Sequence, residues 1–168
     1  MFLARKLRGH VRLTRVPDDL DRELVMPALR LAEDSELALR EYRDRGRLYA
    51  LLGPGADPRV IGHVLVSFDA SGSEAELENL ALAQAERGRG LGHAMLEELL
   101  ARLALRGVRR VKLGTAAADD RVLHFYQKLG FRLRSVERDA FSEARGYPPG
   151  LTVRGVPLLD RVWLDREL

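Results

Sequence analysis

The stretch Ala81–Ala104, ALAQAERGRGLGHAMLEELLARLA, restricts the fold of this chain more than any other. Its segment Arg87-Gly88-Arg89-Gly90-Leu91-Gly92 has no apolar face and poor helix propensity. A helical period begins at once behind it. Leu91, Met95, Leu96, Leu99, Leu100 and Leu103 form one stripe, with Glu97, Glu98 and Arg102 on the opposite side. In front stands AELENLALA, read as a strand although its Glu and Ala content makes propensity ambiguous. Strand, glycine turn and helix in succession, with strands and helices alternating afterwards, call for α/β layering with a parallel crossover.

The rest of the chain supplies partners for that unit. HVRLTRV alternates as a half-buried strand, and RLYALLG and RVIGHVLVSFD are two more, joined by the turn-rich PGADP. Between Asp18 and Arg45 a charged, leucine-bearing region predicts two helices separated near Pro27. After Gly107, VRRVKLGTA predicts a strand. A short helix follows, capped by Asp119 or Asp120, with Val122, Phe125, Tyr126 and Leu129 on its apolar face and Gly130 at its end. FRLRSV alternates Phe131, Leu133 and Ser135 against Arg132 and Arg134, and LLDRVWLDREL predicts the last strand. The Gly- and Pro-bearing residues 142–157 read as a loop or hairpin inserted into a single domain spanning residues 1–168.

Composition narrows the chemistry. Cysteine is absent, which excludes disulfides, thiolate catalysis and cysteine-ligated metal. His10, His63, His93 and His124 have no paired spacing, so no metal site is expected. Arginine carries nearly all the positive charge, but Asp and Glu are interspersed, the net charge is +3 and aromatics are 6%, which argues against a nucleic-acid face. No apolar run reaches the length of a membrane span, and MFLARKLRGH is too short in its apolar part for a signal peptide. The chain reads as cytoplasmic, with no membrane partner.

A glycine turn leading into a helix suits a phosphate. The first-turn N–H groups have no helical partner, and glycines let them converge on one oxygen. The Walker loop needs a Lys-Ser or Lys-Thr after its glycines, and the dinucleotide fingerprint needs a different glycine spacing; neither is present. Arg87 to Gly92 instead follows Arg/Gln-x-x-Gly-x-Gly/Ala, and DDRVLHFYQKLGF carries Tyr126, Gly130 and Phe131 as Tyr-x-x-x-Gly-Phe. On these two motifs the chain resembles the GNAT superfamily of acetyl-CoA-dependent N-acetyltransferases. The resemblance covers residues 61–131 and the last strand, and the N-terminal third only in element order. Three positions depart from the pattern: Gln84 stands for a common Pro, Asp119 for a usual Asn, and residues 142–157 have no generic counterpart.

The resemblance implies a GNAT-like domain: a mixed, mostly antiparallel sheet with a parallel splayed strand pair at its centre and helices on both faces. Acetyl-CoA would be the cosubstrate, with no metal. Its phosphates would lie on Arg87, Gly88, Arg89, Gly90, Leu91, Gly92 and His93, its acetyl and pantetheine parts on the backbone of Leu80, Ala81 and Leu82, and Asp119 would lie near the coenzyme. Glu76 or Glu78, two apart and on one strand face unless a bulge intervenes, would take the amine proton. Tyr126 would protonate the departing thiolate. The acceptor would be an amine of a small molecule or a peptide N-terminus, and acidic residues in LAEDSELALREY favour a cationic one. A non-catalytic acyl-CoA-binding domain would carry the same loop, and the oligomeric state, a homodimer included, is left open.

Overall fold

A computed structural model describes residues 11–168. The N-terminal reading of MFLARKLRGH, with His10, lies outside those residues. The elements run β1 (Arg12–Arg15), α1 (Met26–Leu29), α2 (Glu36–Tyr42), β2 (Arg47–Leu52), β3 (Val60–Phe68), β4 (Glu74–Leu82) and α3 (Leu91–Leu105). β5 (Arg110–Ala116), α4 (Asp120–Lys128), β6 (Arg132–Glu137), β7 (Thr152–Val153), β8 (Val156–Pro157) and β9 (Arg161–Glu167) complete the order. One seven-stranded sheet has the order β1-β2-β3-β4-β5-β9-β6, and β7 and β8 form a separate hairpin. Among the described residues only β4 and β5 are parallel neighbours, linked by α3 as their crossover. The expected mixed, mostly antiparallel sheet with helices on both faces is what forms.

Strand alternation sorts the core into two layers. Tyr49, Val64, Val66, Leu77, Val111 and Leu113 pack under α3 and α4. Leu48 and Leu65 turn the other way, under Met26 and Leu29 of α1 and Leu39 and Tyr42 of α2. The α3 stripe is buried at Met95, Leu96, Leu99, Leu100 and Leu103. Removing these five side chains from water is worth on the order of 10 kcal/mol before chain entropy is subtracted. That burial, rather than propensity, holds the helix over the sheet.

Two expectations change. Pro27 does not separate the helices; it sits in the first turn of α1, where its missing N–H has no helical partner to lose. The break comes later, and Ser35 caps α2 by accepting from Ala38 N at 3.1 Å. The same hydroxyl donates to the Arg145 carbonyl at 2.7 Å, tying α2 to the segment before the hairpin. β6 does not bury alternate residues either. It is the sheet edge, its register shifts between Leu133 and Ser135, and Leu133 and Val136 are 59% and 60% exposed. Its alternation has no covering layer to meet. No helix among the described residues is long and apolar enough to cross a membrane.

Candidate active site

The site begins where two strands part. β4 and β5 pair only over Glu74–Leu77 and Arg110–Leu113; beyond that β4 continues on β3, and β5 on β9. A slot therefore opens between Glu78–Leu82 and Gly114–Ala116. Ala83 N bonds the Ile61 carbonyl at 2.9 Å, so by antiparallel alternation Ala81 points its amide to β3 while Leu80 and Leu82 point theirs into the slot.

A bulge shapes the other wall. Leu77 faces Val66 and Asn79 faces Leu65, which leaves Glu78 as the extra residue. Leu77 and Leu80 pack with the α3 and α4 layer. Glu76, opposite Ser67, turns to the α1 and α2 face, and so does Glu78, whose Oε1 accepts from Ser67 Oγ at 2.6 Å. The bulge thus falls on one of the two candidate carboxylates and keeps both on one face.

Their surroundings differ. Glu76 is paired with Lys112 Nζ at 2.9 Å. Glu78 is in no ion pair among the described residues; burial raises its pKa above the ordinary carboxylate value and the Glu76 charge adds to it, while the Ser67 hydrogen bond and the charges of Arg45 and Lys112 oppose the shift. Both border a cavity of about 530 Å³ with Arg45, Ser67, Phe68 and Lys112 in its wall.

On the far end of the slot lies the glycine turn. Gly88 and Gly90 have φ of +75° and +77°, and a Cβ on either would meet nothing within 4 Å. Gly90 caps α3 without a side-chain bond, and the first helical bond runs from Ala94 N to Gly90 O. The amides of Leu91, Gly92 and His93 thus have no helical partner. A Cβ on Gly92 would lie 3.5 Å from the Leu82 and Phe125 side chains. Arg87 donates from Nε to the Leu82 carbonyl at 3.1 Å, closing the turn, while Arg89 pairs with Glu86 and His93 lies 3.3 Å from Glu97. Open left-handed glycines before free amides fit a diphosphate.

Asp119 caps α4 by accepting from Val122 N at 3.2 Å. Arg154, between β7 and β8, lies 3.4 Å from it and also pairs with Asp120, so the carboxylate that departs from the family pattern has a counter-charge. Tyr126 is buried with its ring edge-on to Phe125 and Phe131 at centroid distances of 5.1 and 5.7 Å. Burial alone pushes its phenol up to about 12, so at neutral pH it is a proton donor. His124 is exposed.

Sequence reasoning missed a buried polar chain on the α1 and α2 face. Asn79, 4% exposed, meets His63 Nε2 through Oδ1 at 2.7 Å and donates from Nδ2 to Leu29 O at 3.0 Å and Tyr42 Oη at 2.9 Å. Tyr42 in turn donates to Glu33 at 3.3 Å. The signal available was an amide at an inward strand position among leucines and alanines. No cluster of three metal-ligating side chains occurs among the described residues.

Residues 13–131 match the acetyltransferase (GNAT) family. This chain belongs to that family. It is an acetyl-CoA-dependent N-acetyltransferase. Among relatives, the uncharacterized N-acetyltransferase YvbK of Bacillus subtilis (strain 168) is 27% identical over 140 residues, covering 83% of this chain and 86% of that one. The ribosomal protein bS18-alanine N-acetyltransferase of Salmonella typhimurium is 29% identical over 106 residues, 63% of this chain and 70% of that one. A GNAT acetyltransferase from Elizabethkingia anophelis, solved with acetyl-CoA bound, shares the fold at a TM-score of 0.81 and 21% identity, covering 95% of this chain and 99% of that one.

Proposed function

We propose that this N-acetyltransferase moves the acetyl group directly to a primary amine of a small molecule or a protein N-terminus, with Glu78 as the base and Tyr126 as the acid. The observation that carries the reading is the position of the Glu78 bulge, at the vertex where β4 leaves β5. Acetyl-CoA supplies an activated thioester. The amides of Leu80 and Leu82 point at the slot and suit the developing charge on an acyl oxygen.

The amine has to lose its proton first. An alkyl ammonium with a pKa near 10.4 costs roughly 4–5 kcal/mol to deprotonate at pH 7. Glu78, partly desolvated and in no ion pair among the described residues, is the better acceptor of that proton; Glu76 would have to break its contact with Lys112. The 530 Å³ cavity gives Glu78 a route by which the proton leaves. Tyr126, protonated at neutral pH, then supplies a proton to the departing sulfur.

Single-turnover and steady-state rates across pH test this. In the wild type kcat/KM rises with pH through a limb set above the ordinary carboxylate range. Glu78→Gln flattens that limb and lowers the rate by about 100-fold, within the range for a general base. Glu76→Gln keeps the limb. The reverse pattern moves the role to Glu76, and an intact limb in both variants removes the strand carboxylates from the mechanism.

A further inference from the structure

Across the slot from Asn79 the sheet carries a second set of polar groups that the reaction as described leaves without work. Gly114, the first β5 residue past the parallel ladder, has no side chain, and a Cβ there would lie 2.6 Å from Arg161 Cδ and 3.3 Å from the Trp163 ring. The Arg161 stem therefore crosses the β5 wall of the slot. Its guanidinium is stacked 5.2 Å from the Phe141 ring centroid and 5.6 Å from that of Trp163. Among the described residues its ion pair is with Glu137, at 3.5 Å. That carboxylate already holds Arg145 at 2.5 Å and the Trp163 indole N–H at 3.0 Å. Two guanidiniums share one anion, and Arg161 has the longer contact.

The facing wall has the opposite sign. Glu33 accepts from Ser35 N at 3.0 Å and from Tyr42 Oη at 3.3 Å, with no cation paired to it among the described residues. Between Glu33 and Arg161 stands Tyr147. It is 4% exposed, its ring is edge-on to Phe141 at 5.1 Å, and among the described residues no partner lies within ordinary hydrogen-bond distance and angle of its hydroxyl, although Glu33 and Arg161 are near it. Burial raises the Tyr147 pKa above the ordinary phenol value; Glu33 raises it further and Arg161 lowers it, so the hydroxyl senses both groups. A buried phenol without a partner is unfavourable unless something polar arrives to bond it.

We propose that Glu33, Tyr147 and Arg161 form the acceptor subsite, and that the acceptor is dipolar: an amino-acid-like molecule with a free carboxylate beside its amine. The carboxylate lies on Arg161 and the Tyr147 hydroxyl, where a planar guanidinium matches it. The amine lies on the Glu33 and Asn79 side, over the slot and next to Glu78. Glu33 holds the ammonium form on arrival. Arg161 rejects acceptors that carry only positive charge, which departs from the cationic preference expected from LAEDSELALREY: that stretch supplies Glu33, but β9 supplies its opposite.

The proposal rests on the slot being the acetyl-transfer site, and its test does not require turnover. Matched pairs of an N-acetyl amino acid and its carboxamide, with glycine and phenylalanine side chains, are titrated calorimetrically into the protein saturated with coenzyme A. Wild type binds the acid of at least one pair about ten- to hundred-fold tighter than the amide, the span of a charge-assisted hydrogen bond. Arg161→Met abolishes the preference, Arg161→Lys keeps part of it, and Tyr147→Phe reduces it with the melting temperature as a fold control. Equal binding, tighter binding of the amide as a peptide acceptor would give, no binding of any probe, or a preference that survives Arg161→Met overturns the subsite. Acid preference together with a Glu78→Gln enzyme of unchanged rate keeps the subsite and discards the base.

Discussion

Arg161 Cδ lies 2.6 Å from where Gly114 would carry a Cβ, so the glycine and the arginine stem share one side-chain position at the mouth of the slot. Gly114 has no left-handed φ, which leaves packing as the whole objection to a larger residue. Gly114→Ala is expected to push the flexible arginine aside at a cost of about 1 kcal/mol, the low end for overpacking. The measurable consequence is a loss of the acid-over-amide preference with the melting temperature lowered by about 2–4 °C. A preference that persists in Gly114→Ala would show that Arg161 does not need this seat.

The glycines of the turn should not be equivalent. Gly90 is left-handed, and alanine there is expected to cost about 1–2 kcal/mol of backbone strain although its methyl would meet nothing. Gly92 is not left-handed, and its methyl would touch Leu82 and Phe125 at ordinary contact distance. Gly92→Ala should therefore melt within about 0.5 kcal/mol of wild type, as an unstrained substitution does. Chemical denaturation of both variants decides it, and equal losses would contradict the φ assignment.

Tyr126→Phe keeps the ring between Phe125 and Phe131 and removes only the hydroxyl. Stability should change by less than about 1 kcal/mol, because burial is the sole cause shifting this phenol and no bonded partner is left stranded. Turnover should fall by about 10²-fold, the contribution of a positioned acid. Unchanged single-turnover rates in a folded variant would take Tyr126 out of the reaction.

His63 links stability to pH. Burial holds its pKa below the ordinary histidine value, while its bond to Asn79 works the other way. Between the folded and ordinary values the unfolded chain binds a proton that the folded chain does not. Its stabilising contribution is full above about pH 6.5 and is lost as the pH falls through the folded value. Urea midpoints should drop on acidification through that window. His63→Gln, which retains a donor for Asn79, should drop less; parallel curves for the two proteins would rule His63 out as the cause.

Much of the sheet and both longer helices were legible because their signals are local. The Leu91–Leu103 stripe reads as a helix from its own spacing, and the turn before it reads from its own glycines. FRLRSV was legible as a strand for the same reason, but period two does not report whether a layer covers it, which depends on its place at the sheet edge. The pairing of Glu76 with Lys112, and the bulge at Glu78, could not be read from two glutamates spaced two apart.

By itself the sequence determined the order of elements, the α3 stripe, the glycine turn and the tyrosine helix, because each depends on residues within a few positions of one another. Only the tertiary structure decided which of the two strand carboxylates pairs with Lys112, and that Glu33 and Arg161 come near Tyr147. Those three lie on a loop before α2, a segment before the hairpin and the last strand. Their convergence depends on β9 lying beside β5 and on α1 and α2 covering the same face, and long-range register of that kind leaves no mark on the local spacing of residues.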